Sequence, residues 1–274
     1  MNIEAQVKGT IKRYKLFTKR DKIAVAASGG KDSTVLLYIL TKLGYNIYAI
    51  TVDSEVGQYS KENIKNLRGF CKQHAIPLME FSFSKEFGQT LKQIHKEVAK
   101  GTSYCTTCGV LRRHLINKYA KLHKFDKLAT GHNSDDEAQA TLMNIFRNDY
   151  LRFKRLGPSV GSVVSDQFVQ RVKPLYFVPE KAIIKFSKTM GFPVVYARCP
   201  HASEAYREDV KDFLKPFDEK VVQNILEFTL KHMDTQSSKF KLKECKQCGE
   251  PTNGELCKAC QIINLVGDNN ESVS

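Results

Sequence analysis

Cysteines are the residues of this chain whose spacing most directly suggests chemistry. Six of the eight cysteines fall in three Cys-x2-Cys pairs, and two of these pairs stand close together near the C-terminus. Four thiolates in two such knuckles match the closed tetrahedral shell of a structural zinc ion, and little else could order so short a segment. We therefore predict one structural Zn²⁺ on the four cysteines of that segment, which are Cys245, Cys248, Cys257 and Cys260.

The third pair, Cys105 and Cys108, is an incomplete site by itself, because a metal ion or a cluster needs at least one more ligand. The C-terminal four satisfy one another, so the third ligand must be Cys71 or Cys199. Cys71 lies in a predicted helix and is expected to be a small core residue. Cys199 follows a predicted strand, so we predict that it joins Cys105 and Cys108. The alternative is a redox Cys-x2-Cys pair with an unrelated, buried Cys199.

A glycine-rich loop lies between the first predicted strand and the helix after it, with the sequence Ser28-Gly29-Gly30-Lys31-Asp32-Ser33. Backbone N–H groups at the two glycines and the helix N-terminus favour a bound anion. The serine hydroxyls can donate to phosphate oxygens, and the lysine can neutralise them. The loop is not a Walker A motif, because Val25 stands where that motif needs glycine and Asp32 where it needs Ser or Thr. We predict that the loop binds the phosphates of a nucleotide.

Further candidate ligands follow two other predicted strands. Asp53 ends the second strand, at the edge where a parallel sheet binds nucleotides. Gly131 and His132 follow the fourth strand, and Asp135 and Asp136 open the next helix. We predict that the two carboxylates hold Mg²⁺ on the phosphates and that His132 contacts phosphate or moves a proton. The alternatives are that Asp135 only caps the helix and that Asp53 only ends its strand.

The elements that must position these residues alternate between strands and helices. Strand patterns occur at residues 22–27, 46–52, 77–83, 127–130 and 193–197. Helical patterns occur at residues 3–18, 33–43, 61–74, 85–100, 110–123, 135–147, 203–214 and 219–233. This alternation predicts an α/β fold with a doubly wound parallel sheet. The carboxyl ends of its strands would bring the glycine-rich loop, the carboxylates and Cys199 to one edge.

The net charge of +14 favours a polyanionic partner. The positive charge concentrates at residues 8–22 and 147–155, together with the aromatic residues Tyr14, Phe17, Tyr150 and Phe153. Aromatic rings can stack on unpaired bases, so nucleic acid is favoured over an anionic membrane surface. No apolar run approaches the ~20 residues of a membrane span, and the N-terminus lacks the apolar stretch of a signal peptide. We expect a cytoplasmic location and no membrane partner, and in that reducing compartment the cysteine pairs indicate metal or redox chemistry.

Three segments together resemble one known family. The loop at residues 28–33, the segment Cys-Thr-Thr-Cys-Gly-Val-Leu-Arg-Arg at 105–113 and the segment Gly-His-Asn-Ser-Asp-Asp-Glu-Ala-Gln at 131–139 are similar to the tRNA 2-thiolation branch of the PP-loop ATP pyrophosphatases. Residues 172–175 and 199–207 also fall where that branch has its own versions. The branch contains tRNA 2-thiouridine synthetases and the related 2-thiocytidine enzyme. The resemblance covers residues 5–262.

The resemblance implies an enzyme that adenylates a pyrimidine 2-carbonyl of tRNA with ATP and Mg²⁺, releases pyrophosphate and replaces the oxygen with sulfur. It implies that Cys105, Cys108 and Cys199 hold a 4Fe–4S cluster whose fourth iron is open to exogenous sulfide. Lys31 and Asp136 join these cysteines as expected catalytic residues. We expect 2-thiouridine as the product, and sulfide or a ubiquitin-like thiocarboxylate carrier as the sulfur donor. A homodimer is one candidate assembly.

One feature departs from that branch, whose 2-thiouridine enzymes usually carry a second zinc knuckle before the PP-loop domain. Residues 1–27 of this chain contain no cysteine, and the basic helix at residues 3–18 could take over in gripping tRNA. The expected domains are a basic N-terminal helix (1–20), a PP-loop ATPase domain (21–200), a helical extension (201–238) with a linker at 236–239, a zinc-binding knuckle (239–262) and a flexible tail (263–274).

Three other functions compete with this interpretation. A persulfide-type tRNA thiolase would use Cys105 or Cys199 as a sulfur carrier without a cluster. A PP-loop ligase of the lysidine synthetase kind would keep the glycine-rich loop but has no need for three cysteines outside the knuckle. A zinc-containing RNA-binding protein without enzymatic activity would explain the charge and the knuckle, but neither the loop nor the segment at 131–139.

Overall fold

The computed structural model of the protein describes residues 2–98, 102–160, 169–202, 206–233, 243–252 and 254–271. Its strands are β1 Lys22–Ala26, β2 Asn46–Asp53, β3 Leu78–Ser82, β4 Lys127–Thr130, β5 Ser159–Val160, β6 Gln170–Val172, β7 Lys243–Glu244 and β8 Pro251–Thr252. Its helices are α1 Ile3–Arg13, α2 Lys31–Lys42, α3 Gly57–Gln73, α4 Phe83–Phe87, α5 Leu91–Val98, α6 Tyr104–Leu122, α7 Ser134–Phe146, α8 Tyr150–Phe153, α9 Glu180–Thr189, α10 Tyr206–Leu214, α11 Glu219–His232 and α12 Lys258–Glu271.

Six strands form one sheet in the order β3-β2-β1-β4-β6-β5. All neighbouring strands in this sheet are parallel except β5, which runs antiparallel to β6. Alternate residues of β1 point to opposite faces, so Ile23 and Val25 join the core under α1, α2 and α9. Ala24 joins a second core under α5, α6 and α12. The predicted doubly wound α/β fold is confirmed, with helices on both faces of the sheet.

The fifth strand was predicted in the wrong place. Residues 193–197 form no strand, and the position beside β4 is occupied by β6. The backbone of the predicted segment is instead directed by local contacts: the Val194 N–H donates to the Phe192 carbonyl at 2.8 Å. The Phe192 ring lies 5.3 Å from the ring of the buried Phe70, which anchors the segment to α3. Cys199 therefore follows an irregular segment and not a strand.

Two predicted helix boundaries also change. The side chain of Ser103 accepts a hydrogen bond from the Thr106 N–H and caps α6, so Cys105 and Cys108 lie in the first turns of this helix and not in a loop before it. The helix predicted over residues 85–100 is divided into α4 and α5, because Gly88 adopts a φ of +70° that ends the first of them.

The C-terminal third has more regular structure than the sequence suggested. The helices predicted at residues 203–214 and 219–233 correspond to α10 and α11, which lie against α7 with Ala138, Leu214 and Val222 between them. The predicted tail from residue 263 is helical as far as Glu271, because Ile262 and Val266 pack with the α5 and α6 core. The predicted linker at 236–239 lies outside the described residues. None of the described helices is long and apolar enough to cross a membrane.

Candidate active site

A cleft of about 540 Å³ opens at the carboxyl ends of β1, β2 and β4. This is the edge where parallel α/β sheets bind ligands. The predicted residues that line it are Ser28, Asp32, Ser33, Asp53, Gly131, His132, Cys105, Cys108 and Cys199. The structure thus brings residues of the phosphate loop and the cysteines Cys105, Cys108 and Cys199 into one cavity. Neither Lys31 nor the pair Asp135 and Asp136 belongs to its lining.

The phosphate loop is held open by short local contacts. Gly29 has a φ of +78°, and a side chain there would overlap the Asn63 carbonyl of α3, so glycine is required at this position. The Ser33 hydroxyl donates to the Gly30 carbonyl at 3.1 Å, and the Ser28 N–H donates to the Ser33 hydroxyl at 3.2 Å. These contacts direct the loop towards the N-terminus of α2, where phosphate oxygens can accept hydrogen bonds from the backbone.

Lys31 is engaged by two carboxylates. Its ammonium group lies 2.9 Å from Asp32 Oδ2 and 2.8 Å from Oε1 of Glu180, the first residue of α9. Burial disfavours the charged amine, but the two carboxylates outweigh burial and raise the pKa of Lys31. Burial raises the pKa of Asp32 even beside this lysine, whereas Lys31 and Lys211 together outweigh burial and lower the pKa of Glu180. The two contacts engage two of the three N–H donors of Lys31, and no local pattern in the sequence marks Glu180 as its partner.

The acidic segment after β4 is arranged differently from the prediction. Asn133, and not Asp135, caps α7, and Asp136 completes the capping box by accepting from the Asn133 N–H at 3.2 Å. Asp136 also lies 3.0 Å from an Arg207 guanidinium nitrogen. Asp135 accepts from the Glu180 N–H at 2.8 Å. The Asn133 amide donates to Asp32 of the loop at 2.9 Å, and Asp136 lies close enough to Asp32 to contribute to the rise in its pKa.

His132 lies in the cleft beside several positive groups. The Thr130 hydroxyl lies 2.8 Å from its Nδ1 atom. His132 is exposed at the cleft surface, but desolvation by the surrounding protein and then the charges of Lys173, Arg207, Arg171 and Arg113 lower its pKa below the ordinary value. His132 is therefore neutral at physiological pH and can accept or donate one hydrogen bond to a substrate.

Three arginines of the lining were not predicted as site residues. Arg112 donates to the Ser54 hydroxyl at 3.0 Å and to the Cys108 sulfur at 3.1 Å. Arg113 is the next residue of α6, and Arg171 lies on β6. The Arg-Arg sequence after the cysteine pair was visible in the sequence, but no spacing rule marks the strand residue Arg171.

Cys105, Cys108 and Cys199 fit a shared cluster by their donor chemistry. Cys105 donates to the His201 carbonyl at 3.0 Å, and the Tyr104 and His201 rings stack at 3.8 Å, which joins the start of α6 to the segment after Cys199. All three thiols face the cleft and are partly accessible. Cys71 is 2% exposed in the core, and burial raises the pKa of its thiol to about 11, so it is unsuited as a ligand.

The C-terminal four cysteines fit a single tetrahedral ion. All four sulfurs lie within 4.8 Å of one another, and those of Cys248 and Cys257 are 3.6 Å apart. Thiolates about 2.3 Å from a tetrahedral zinc would lie roughly 3.8 Å apart. Glu250 attaches this knuckle to α6, since its carboxylate accepts from the Asn117 amide at 2.9 Å and lies 3.0 Å from His114 Nδ1.

Known proteins share this arrangement over most of the chain. The sequence profile of the PP-loop domain matches residues 1–198. The chain is 33% identical over 277 residues to a tRNA-5-methyluridine(54) 2-sulfurtransferase of Pyrococcus horikoshii, covering 99% of this chain and 87% of that protein. It is 32% identical over 271 residues to cytoplasmic tRNA 2-thiolation protein 1 of Drosophila mojavensis, covering 95% and 78% respectively.

A solved structure agrees with these relatives. The U34-tRNA thiolase NcsA from Methanococcus maripaludis, determined with its 4Fe–4S cluster, superimposes with a TM-score of 0.77 at 30% identity. The superposition covers 94% of this chain and 86% of that one. The resemblance inferred from the sequence motifs is therefore confirmed: the chain belongs to the PP-loop family and, within it, to the branch of the tRNA 2-thiolation proteins.

Proposed function

We propose that the protein replaces the 2-carbonyl oxygen of a uridine in tRNA with sulfur, in the cytoplasm, at the expense of ATP. One observation carries this proposal: the phosphate loop and three partly accessible cysteines line the same cleft. An ATP-dependent ligase has no use for the cysteines, and an RNA-binding protein has no use for the loop. The relatives support the uridine, since the names of two of them specify 5-methyluridine 54 and U34.

The reaction divides into two balanced steps. The 2-carbonyl oxygen attacks the α-phosphorus of ATP, pyrophosphate leaves, and the base becomes O-adenylated. Sulfide then adds to C2, the C–O bond breaks, and AMP leaves with the original carbonyl oxygen. The net reaction consumes ATP and hydrogen sulfide and yields AMP, pyrophosphate and the 2-thio base, with no change of oxidation state.

The residues of the cleft suit the first step. The backbone N–H groups and hydroxyls of the Ser28–Ser33 loop would hold the phosphates, and Lys31 would neutralise them after leaving Glu180. Asp32 in the loop and the nearby Asp136 could hold Mg²⁺, whereas Asp135 already accepts a hydrogen bond from the α9 backbone. Asp53, at the end of β2, would contact the nucleoside.

The second step would use the cysteines at the other side of the cleft. Cys105, Cys108 and Cys199 would hold a 4Fe–4S cluster, which supplies an iron able to bind the incoming sulfur. Arg112 donates to Cys108 and would compensate the negative charge of its thiolate. The four-cysteine knuckle would hold a structural Zn²⁺ that has no part in the chemistry.

The Cys199→Ala variant tests the assignment of these cysteines. We expect it to lose iron, labile sulfide, the brown colour and thiolation together, because two thiolates cannot retain the cluster. Zinc content and ATP binding should remain, since Cys199 takes no part in either site. The Cys71→Ala variant is the matched control and should keep its iron. Full iron and sulfide in Cys199→Ala would remove Cys199 from the site and leave Cys105 and Cys108 without an identified third ligand.

A further inference from the structure

Arg113 and Arg171 approach each other across the wall of the cleft. Arg113 extends from α6 over Gly109, where its guanidinium would lie 3.4 Å from an added Cβ. Arg171 is paired in the sheet with Leu128 of β4 and faces α6, since Leu128 belongs to the core under that helix. Both side chains line the cleft. Two guanidinium groups from different elements therefore converge on one region.

Neither guanidinium forms an ion pair with any residue in the described part of the chain. No side-chain hydrogen bond of Arg113 or Arg171 is present there either. Glu250 is the carboxylate that acts on Arg171, but it is already bound by His114 and Asn117. Desolvation by the surrounding protein and then the charge of Arg171 lower the pKa of Arg113, although its side chain is exposed. Like charges brought together are unfavourable until an anion joins them.

The geometry suits a phosphate. Guanidinium groups donate two parallel hydrogen bonds to phosphate oxygens, and two of them can clamp one phosphate from both sides. We propose, on the basis of the function proposed above, that Arg113 and Arg171 form a second phosphate site that binds a backbone phosphate of the RNA beside the nucleotide to be modified.

The position of the pair favours RNA over the phosphates of ATP. The ATP loop follows β1, whereas Arg171 lies on β6, with β4 between them. Two strand spacings of roughly 4.8 Å place the pair about 10 Å from β1 across the sheet. On its outer side, Arg152 of α8 adds to the positive charge at Arg113. ATP bound at the loop would not extend from β1 towards Arg171 on β6, but a polynucleotide would.

The surface beyond Arg113 continues this basic path. Residues 147–155 include four arginines and lysines, and the Tyr150 ring among them is 61% exposed. Arg147 lies 4.4 Å above the Tyr206 ring, and Arg152 lies 3.2 Å from Asp149, which neutralises part of its charge. Arg113 and Arg171 thus stand where a basic, partly aromatic surface enters the cleft, as expected for a bound single strand.

Binding of an unmodified tRNA transcript, without ATP and over a range of salt concentrations, tests the pair. We expect the double variant Arg113→Gln/Arg171→Gln to bind roughly 10-fold more weakly, with a salt dependence shallower by about one unit of log–log slope, because one phosphate contact is lost. The Arg113→Lys/Arg171→Lys variant keeps both positive charges and should therefore recover part of the tRNA affinity. ATP affinity, measured with ATP alone, should be unchanged in both.

The Arg68→Gln variant is the matched control, because Arg68 is an exposed arginine of α3 that neither lines the cleft nor belongs to the two basic clusters. Wild-type tRNA affinity and slope in the double glutamine variant would overturn the proposal. So would a loss of ATP affinity with tRNA binding intact, which would assign the pair to the nucleotide. After either of these results, thiolation of tRNA by the wild-type protein would still support the proposed function. A wild-type protein that binds no tRNA would contradict both the proposed function and the arginine site.

Discussion

Lys173 and Glu137 form a buried ion pair behind His132. Their nitrogen and oxygen atoms lie 2.6 Å apart, and the side chains are 9% and 3% exposed. Burial raises the pKa of Glu137, and Lys173 is the main group that opposes this rise. The pair joins α7 to the segment after β6 and supports the side of the cleft that carries His132.

Replacing Lys173 with methionine should therefore destabilise the fold. Removal of one partner leaves a buried carboxylate uncompensated, which typically costs about 3–5 kcal/mol. Chemical denaturation at pH 8 measures this loss. The control is Lys173→Met/Glu137→Gln, which removes both charges and should recover part of the stability.

The same variant should show a distinctive pH dependence. Without Lys173, the pKa of Glu137 rises further above its unfolded value, so the folded state binds the extra proton at low pH. A folded pKa above the unfolded pKa means that stability falls as the pH rises between the two values. The deficit relative to the wild type should thus be smaller at pH 5 than at pH 8. An equal deficit at both values would show that Glu137 stays ionised.

The site residues found in the sequence are those that belong to short local motifs. The glycine-rich loop and the Cys105–Cys108 pair can be recognised from neighbouring residues, although the need for glycine at position 29 also depends on the Asn63 carbonyl of α3. Glu180, the partner of Lys31, lies far along the chain, and no local pattern announces that it will close on the phosphate loop. The same holds for Arg171, whose role depends on the placement of β6 beside β4.

At the scale of the elements, the periodicity of hydrophobic residues was sufficient to predict the longer strands and helices. The alternation from β1 to α7 was predicted with boundaries that shift by a few residues. Strands of two or three residues, such as β5 and β6, are too short to carry a period and are defined by their partners. The segment at 193–197 has the composition of a strand, but β6 occupies the position beside β4 that this segment would have taken.

The knuckle is an element that should depend on its metal. Its two strands contain two residues each, and α12 begins at Lys258, inside the second cysteine pair, so apart from its contacts to α5 and α6 the segment has little regular structure to hold the four cysteines together without a metal ion. We expect about one zinc per chain in protein purified without chelator, and near zero in Cys260→Ser, with faster amide exchange in α12. Cys71→Ala is the control and should keep its zinc. Retention of full zinc and protection in Cys260→Ser would contradict a four-thiolate site.

At the scale of the whole molecule, α6 connects the parts. It carries Cys105 and Cys108 in its first turns, Arg112 and Arg113 in its middle, and the contacts of His114 and Asn117 to the knuckle. The sheet carries the phosphate loop on the opposite wall. One helix thus links the four-cysteine knuckle, two of the cleft cysteines and the wall that we propose to face RNA.

The most direct test of this account measures both products of one reaction. Protein loaded with iron and sulfide is incubated with unmodified tRNA, ATP, Mg²⁺ and sulfide, and the nucleotides and the digested tRNA nucleosides are quantified by mass spectrometry. The account predicts AMP and pyrophosphate in equal amounts, each matching the 2-thiouridine formed, because every oxygen replaced leaves as part of AMP. ADP and phosphate as the products, or AMP formed with tRNA that contains no 2-thio nucleoside, would contradict it.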